Sequence, residues 1–353
     1  MRNTGLDVLR FVAVALVLGR HLTLPLDAHS ALVVLNRGGW VGVDLFFVLS
    51  GYLVTSLLLN EYKKNGTLNV LRFWVRRAFK IYPTFWIFAT AAIAIQTLRS
   101  GPPPLESVVV ELIFIQNYFA GIWNHTWSLA VEEHFYIAVG LLLGGYLYFR
   151  PKTDFSSLPR IFLMIACVCL GLRILQYYRY PEYSDSNALF RTHLRIDSLF
   201  FGSLIAYLCA YRHLNQTLSR VPGWLMVMTG SALLSPAFLY DLHSTRWLTI
   251  YGFVLFYVGS GLILLASIRW ERTSSRLLKI VSILGAASYT IYLWHMQVNA
   301  WALDFFPRHG GGTGFIFYMS TYVVGSFVIG WLLNHLLERP ILRVRDAWFP
   351  SSR

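Results

Sequence analysis

The first long apolar segment, residues 5–25, constrains the fold more than any other feature of the chain. As an α-helix, about 20 apolar residues span about 30 Å, the thickness of the hydrocarbon core of a bilayer. The segment nevertheless contains Arg10, Arg20 and His21. Arg10 and His21 are about three helical turns apart and project from nearly the same face. Because ionisable groups in a membrane usually face the protein interior, we expect a spanning helix that carries part of a functional site.

A purely structural role is the alternative for these residues. Arg20 could extend its side chain to the membrane interface, and an isolated histidine is often a satisfied core residue. The basic start of the chain followed by an apolar segment also resembles a signal peptide. The segment continues past the usual cleavage length without a small-residue cleavage site, so we expect it to be retained.

The composition excludes an ordinary soluble domain and a disordered chain. Of the 353 residues 56% are hydrophobic and 13% are charged, with a mean hydropathy of +0.52. Cys167, Cys169 and Cys209 lie in apolar segments without the spacing of a disulfide framework or a zinc site, so we expect no metal.

The hydropathy pattern predicts an all-α polytopic membrane protein with about ten transmembrane helices. The expected spans are 6–24, 40–60, 78–98, 127–149, 159–178, 195–211, 222–240, 247–268, 278–302 and 313–338. We expect 105–120 to be an interfacial or re-entrant segment. No repeat or appended soluble domain is evident, which predicts one transmembrane domain over 1–353.

The placement of the basic residues predicts the orientation. Most of the 30 Lys and Arg fall in alternate loops, on the side that holds the N-terminus. By the positive-inside rule both termini are cytoplasmic. The net charge of +13 is therefore explained by the orientation of the chain in the membrane, and we expect no nucleic-acid partner.

In that orientation, polar residues of several spans fall in one layer towards the outer face. The members of this layer are His21, Asp44, Glu132, Glu133, His134, Arg195, Asp197, Tyr292 and His295. None can be left charged in lipid, so we expect them to pair in a wet interior cavity. The alternative is that they only hold helices together.

Histidine beside carboxylates is typical of proton transfer. We expect Asp44 or Glu132 to orient the imidazole of His21 and to stabilise it once protonated. Arg195 would neutralise a surplus carboxylate. It cannot pair with Asp197, because two residues apart on one helix means about 200° around the axis.

A cationic segment lies on the opposite side of the membrane, between the second and third spans. Arg72, Arg76 and Lys80 recur at helical spacing on one face, with Arg77 beside them. This segment could bind lipid headgroups or a phosphorylated cofactor. No Walker or Rossmann glycine pattern occurs, which argues against a nucleoside triphosphate. The Ser50-Gly51 pair would let another backbone or a narrow ligand approach closely.

Seven motifs in order give the chain a family resemblance. They are LDVLR followed by a histidine, with ten residues between Arg10 and His21, GVDLFFVLSGYL (42–53), RRAFKIYP (76–83), WSLAVEEHFY (127–136), RIDSLFFG (195–202), SYTIYLWH (288–295) and LERP (337–340). Together they resemble the acyltransferase-3 family of integral membrane acyltransferases, over nearly the whole chain. His134 is a departure, because glutamine is more usual there.

The resemblance implies O-acylation, commonly O-acetylation, of an extracytoplasmic carbohydrate or glycoconjugate by cytoplasmic acyl-CoA in a bacterial inner membrane. It implies that His21 is the base, that Arg10 lines the donor path, and that Arg76, Arg77 and Lys80 hold the CoA phosphates. Arg195, Tyr292 or His295 would stabilise the oxyanion. Direct transfer and a covalent acyl-enzyme at Ser50 or His21 both remain open.

We assign His21, Asp44 and Glu132 to catalysis. To substrate or donor binding we assign Arg10, Ser50, Arg72, Arg76, Arg77, Lys80, Glu133, Arg195, Asp197, Tyr292 and His295. A proton-coupled transporter or flippase is the alternative function, and a scaffold or sensor is a third. Binding of acyl-CoA would distinguish the enzyme from both.

Overall fold

Helices make up the regular structure of the chain. The computed structural model describes residues 3–25, 28–180, 182–270, 275–306 and 311–350, and within these ranges it contains helices and turns only. The α-helices are α1 (Thr4–Arg20), α2 (Ser30–Gly38), α3 (Gly42–Asn65), α4 (Val70–Ser100), α5 (Leu105–Leu112), α6 (Trp127–Phe149), α7 (Leu158–Arg179), α8 (Asp185–Ala188), α9 (Thr192–Tyr211), α10 (Leu214–Thr217), α11 (Gly223–Leu234), α12 (Pro236–Leu239), α13 (Phe253–Ile268), α14 (Arg276–Ala286), α15 (Ser288–Phe305), α16 (Gly311–Leu333) and α17 (Arg339–Trp348). The predicted all-α class is confirmed.

Several helices are suited to crossing a membrane. Among the described residues six helical stretches are long and apolar enough: Ser30–Asn65, Val70–Ser100, Leu158–Arg179, Thr192–Tyr211, Leu248–Ile268 and Thr313–Trp348. Two bent pairs, Leu214–Arg220 with Gly223–Leu239 and Arg276–Ala286 with Ser288–Phe305, raise the number to eight.

Two predicted spans fall outside this set. Helix α1 has only 17 residues. In α6, Glu132, Glu133 and His134 lower the mean hydropathy of the first turns. The count of ten spans and the cytoplasmic termini therefore stay predictions. The segment 105–120 contains only the eight residues of α5 followed by turns.

Local signals set the reversal between α3 and α4. Gly66 ends α3 with a φ of 69°, a left-handed conformation that glycine adopts without a steric penalty. Asn69 then caps α4, its side-chain oxygen accepting a hydrogen bond from the Arg72 amide at 2.8 Å. These two residues start α4 eight residues ahead of the predicted span, so the cationic segment forms the first three turns of the helix.

Helices α3 and α9 make a close backbone contact. A Cβ added at Gly51 would lie 1.9 Å from the Leu199 carbonyl oxygen, and one at Gly202 would lie 2.1 Å from that of Val48. The expected close approach at Gly51 is therefore made by the backbone of α9. This contact brings the buried faces of two polar helices together.

The end of the chain folds back onto the cationic side of the bundle. A single π-helical turn, Asn334–Glu338, joins α16 to α17. It buries Asn334 and Glu338, and α17 then packs on α4. Since α4 also contacts α6 and α15, these elements surround the interior space described next.

Candidate active site

His21 stands at the C-terminal end of α1 and is held from three sides. Its Nδ1 lies 2.9 Å from the Val17 carbonyl oxygen. Asn299 on α15 donates a hydrogen bond to the His21 carbonyl oxygen at 2.7 Å, and Tyr318 on α16 donates one to Asn299 at 2.8 Å. These contacts satisfy groups that the end of a helix leaves free, and they fix the position of His21.

Two further histidines surround it, and together the three form a histidine cluster of His21, His125 and His295. The Nε2 of His295 lies 3.3 Å from the Nδ1 of His21, and the His125 ring centroid lies 5.1 Å from that of His295. His125 and His295 are buried, whereas His21 is partly exposed. Burial lowers the pKa of His125 to about 3, so that ring is neutral.

A cavity of about 710 Å³ lies between α1, α3, α4, α6, α15 and α17. Its cationic part is lined by Arg10, Arg77, Lys80 and Arg339, together with Asp7 and Glu338. Its opposite part is lined by Phe46, Ser128 and Tyr292. Apolar side chains of α3 line much of the wall between these parts, so the space suits a long ligand with an anionic end.

The cations at the cavity differ in their partners. Lys80 is ion-paired to Glu338, and Arg10 to Asp7 at 2.6 Å. The guanidinium of Arg77 lies over the Tyr136 ring, 5.4 Å from its centroid, and makes no ion pair within the described part of the chain. Arg339 donates to Asn334 Oδ1 at 3.1 Å and likewise makes no ion pair among the described residues, so Arg77 and Arg339 are the cations best placed to take an anionic ligand.

Ser50 projects into the cavity within a hydrogen-bonded group. It donates to Glu132 Oε2 at 3.2 Å and lies 2.7 Å from the Tyr136 hydroxyl, which itself bonds to Glu132. All three residues line the cavity.

Tyr292 separates the cavity from the histidine cluster. Its hydroxyl donates to the His125 carbonyl oxygen and accepts from Ser128 at 2.6 Å. The Tyr292 ring centroid lies 6.3 Å from that of Phe46 on the cavity side and 5.5 Å from that of His295 on the other. His21 is not among the described residues that line the cavity, and it lies behind Tyr292.

The sequence of this bundle matches a known family over most of its length. A family model described as an acyltransferase domain matches residues 3–335. The chain belongs to the acyltransferase-3 family. The resemblance drawn from the seven motifs is thereby confirmed.

Curated proteins that are similar to the chain are named as O-acetyltransferases. The O-acetyltransferase OatA of Staphylococcus aureus (strain NCTC 8325 / PS 47) is 26% identical over 327 residues, which cover 86% of this chain and 52% of OatA. A putative O-acetyltransferase of Staphylococcus aureus (strain COL) is 29% identical over 327 residues, covering 86% of this chain and 51% of the relative. The chain spans about half the length of these relatives. No solved structure matches it.

The structure divides the predicted cationic face of this acyltransferase-3 chain. Arg77 and Lys80 line the cavity, but Arg72 is ion-paired to Glu61. Arg76 is ion-paired to Asp346 at 2.9 Å. The four residues do not form one surface in this structure, since successive turns of α4 meet acids from different elements, and donor binding by Arg72 and Arg76 stays a prediction.

The expected partners of His21 are also different. Asp44 is fully buried in an ion pair with Arg195 at 2.7 Å, and Glu132 is bonded to Ser50 and Tyr136. Within the described ranges, the polar contacts of the imidazole are Val17 and His295 instead. Depth in the membrane alone did not reveal which way Asp44 and Glu132 face.

The other charged residues of the predicted layer also have partners other than His21. Asp197 pairs with Arg173, and Glu133 accepts a hydrogen bond from Tyr82 at 2.8 Å. The expectation that Arg195 pairs with a carboxylate of another helix holds. One shared cavity for the whole layer is contradicted, because Asp44, Glu133, Arg195 and Asp197 do not line it.

The three candidate oxyanion donors are all engaged. Arg195 is ion-paired, the Tyr292 hydroxyl donates to His125, and His295 Nδ1 lies 2.5 Å from the Tyr292 carbonyl oxygen. None presents an unused donor to the cavity in this conformation.

Sequence reasoning missed His125, Asn299 and Tyr318. His125 precedes the expected start of the fourth span by two residues, in WNHTWSL, and was not weighed. The available signal was its place in the same segment as two glutamates and a second histidine, His134. Asn299 and Tyr318 lie in segments that the hydropathy pattern predicts to span the membrane, where a polar residue is itself a signal.

Proposed function

We propose that the protein transfers an acyl group, in the first instance acetyl, from cytoplasmic acyl-CoA to a hydroxyl of an extracytoplasmic carbohydrate or glycoconjugate, with His21 as general base. The single observation that carries the proposal is the cavity, which joins a cationic part to a wall with the histidine cluster directly behind it. The names of the relatives support O-acetylation as the first activity to test. A bacterial inner membrane is the expected location.

The donor binds along the cavity. Its phosphates meet Arg77, Lys80 and Arg10, and its pantetheine arm follows the apolar wall towards Ser128 and Tyr292. Arg10 and His21 are eleven residues apart, about 16 Å along α1. A narrow arm suits this path better than a bulky ligand does.

The acyl group reaches His21 when the Tyr292 ring turns. Two hydrogen bonds hold the hydroxyl in the present position, worth about 1 kcal/mol each. Binding of the donor supplies enough free energy to break both. Membrane lipids surround the bundle and have no part in this step.

The chemistry at His21 is proton abstraction. Its Nε2 accepts the proton of the acceptor hydroxyl while the hydroxyl oxygen attacks the thioester carbonyl. The C–O bond forms, the C–S bond breaks, and the departing CoA thiolate takes the proton from His21. The products are an ester and free CoA, and the enzyme returns to its starting state.

The test uses purified full-length protein in liposomes loaded with acetyl-CoA and given a glycan acceptor outside. We expect label transfer to the glycan and a higher melting temperature with CoA in detergent. His21→Gln should lower turnover by at least about 100-fold and keep the CoA-dependent shift. His29→Gln, at an exposed histidine, is the matched control.

Two results would contradict the proposal. Near-normal turnover of a folded His21→Gln protein would show that His21 is not the general base. Absence of any CoA-dependent shift, together with accumulation of substrate in liposomes without acyl-CoA, would favour the transporter.

A further inference from the structure

We propose that His295 is a positioning residue that holds His21 in the tautomer with Nε2 unprotonated by accepting a hydrogen bond from its Nδ1–H throughout the transfer. This inference rests on the proposed function, because it concerns how His21 acts as a base. It assigns the orienting role to a histidine in place of the carboxylate expected from the sequence.

The first step fixes the tautomer of His295. Its Nδ1 lies 2.5 Å from the carbonyl oxygen of Tyr292, three residues earlier on α15. A carbonyl oxygen only accepts hydrogen bonds, so the proton must lie on Nδ1. In the neutral ring the Nε2 of His295 is then an acceptor, and it faces His21.

The second step fixes the tautomer of His21. Its Nδ1 lies 2.9 Å from the Val17 carbonyl oxygen and 3.3 Å from His295 Nε2. Both neighbours are acceptors, so Nδ1 carries the proton and shares it between them. The lone pair of His21 therefore lies on Nε2, the atom that a general base needs.

The third step follows the proton. When Nε2 of His21 takes a proton from the acceptor hydroxyl, the ring becomes an imidazolium with Nδ1–H against His295 Nε2. The Nδ1–H of the imidazolium donates to His295 Nε2, which stays a neutral acceptor with its own Nδ1–H donated to Tyr292. The Nε2 proton then passes to the departing thiolate, and His21 returns to its starting tautomer.

The surroundings suit this role. His295 is fully buried, whereas His21 is partly exposed, so only His21 has room to meet an acceptor. The titratable and charged groups around the pair are His125, Tyr292, Tyr318 and Arg20. No carboxylate of the described chain contacts either ring, which leaves His295 as the side chain that orients the His21 imidazole.

Two substitutions of His295 test its contact with Tyr292 and its contact with His21 separately. Asparagine places an amide near the Nδ1 position, keeping the Tyr292 contact and losing the His21 contact. Glutamine places its amide near the Nε2 position, where its oxygen accepts from His21 Nδ1–H. We expect His295→Asn to lower kcat by about 100-fold with KM for acyl-CoA within about twofold, and His295→Gln to lose less than about tenfold.

A spectroscopic measurement completes the test. In protein labelled with ¹⁵N-histidine, with His21→Gln used for assignment, we expect His21 to be protonated at Nδ1 and unprotonated at Nε2. His295→Asn should give a mixture of tautomers, and His295→Gln should restore one. Equal loss in both variants, a normal kcat in His295→Asn, or an unprotonated Nδ1 in the unaltered protein would overturn the inference. If His21→Gln is inactive in that case, the proposed function still stands.

Discussion

Arg195 Nη2 lies 2.7 Å from Asp44 Oδ1, and both side chains are fully buried between α9 and α3. A second buried pair, Arg173 with Asp197, lies nearby. The guanidinium groups of Arg195 and Arg173 both lie over the Phe253 ring, 3.9 and 5.0 Å from its centroid. Four charges therefore join α3, α7, α9 and α13 without reaching the cavity.

Removing one charge of this group should destabilise the bundle. Asp44→Asn leaves Arg195 buried without its counter-ion, at a cost of about 3–5 kcal/mol. Asp304→Asn is the matched control, because the Asp304–Arg99 pair is about half exposed and worth less than about 1 kcal/mol. Thermal unfolding in detergent measures both, and equal melting temperatures would contradict the prediction.

Arg77 should contribute more to donor binding than Arg72. Arg77→Gln removes a cation that lines the cavity, and we expect the Kd for CoA to rise at least tenfold, from the loss of about 1.5 kcal/mol. Arg72→Gln removes the counter-ion of Glu61 away from the cavity, and should lower the melting temperature without changing that Kd. Calorimetric titration with CoA measures the Kd of each variant. An equal rise in both variants would show that the whole face of α4 binds the donor.

Ser50 should be dispensable for the covalent chemistry if transfer is direct. It is bonded to Glu132 and Tyr136 in the cavity and has no described contact with the histidine cluster. We expect Ser50→Ala to keep turnover within about tenfold, the usual scale of one lost neutral hydrogen bond. Mass spectrometry of the protein incubated with acetyl-CoA and no acceptor should show no acetylated peptide. An acetylated Ser50 would establish the acyl-enzyme route.

The stability of the loop before α6 should depend on pH through Glu111. Burial raises the pKa of Glu111 to about 7, although hydrogen bonds from Thr126 and the Ile122 amide oppose the shift. A carboxyl group whose pKa is raised by folding stabilises fully below its unfolded pKa, near 4.5, and loses that contribution as pH rises through 7.

We therefore expect the melting temperature to fall between about pH 5 and pH 8, by the equivalent of up to about 3 kcal/mol. Glu111→Gln should flatten that profile, since the amide is neutral throughout. Glu106→Gln, at an exposed residue of the same helix, should leave it unchanged. A Glu111→Gln profile as steep as that of the unaltered protein would contradict the assignment.

The sequence predicted where helices lie in the chain much better than how they face one another. Hydropathy placed the fourth span at 127–149, as α6 has it, because apolar length is a local property. It could not predict the 75° bend between α14 and α15, which lies at the fully buried Ala287. Polar residues at similar depth were therefore grouped together although Asp44 faces α9 and His21 faces α15.

The prediction of the site had the same strengths and limits as the prediction of the fold. His21, His295 and Tyr292 lie near one another as predicted, because α15, which carries His295 and Tyr292, packs against α1. The predicted orienting carboxylate does not contact His21 in the structure, since Asp44 is paired with Arg195 and Glu132 is bonded to Ser50 and Tyr136. Only packing shows which acid meets which base.

The backbone contact between Gly51 and Gly202 has a consequence for movement. With no side chain to yield between them, α3 and α9 can neither slide nor separate without breaking the contact. The part of α3 that lines the cavity is thus held in a fixed position. Whatever opens the way to His21 has to come from the opposite side, where α15 carries Tyr292 and α17 closes over α4.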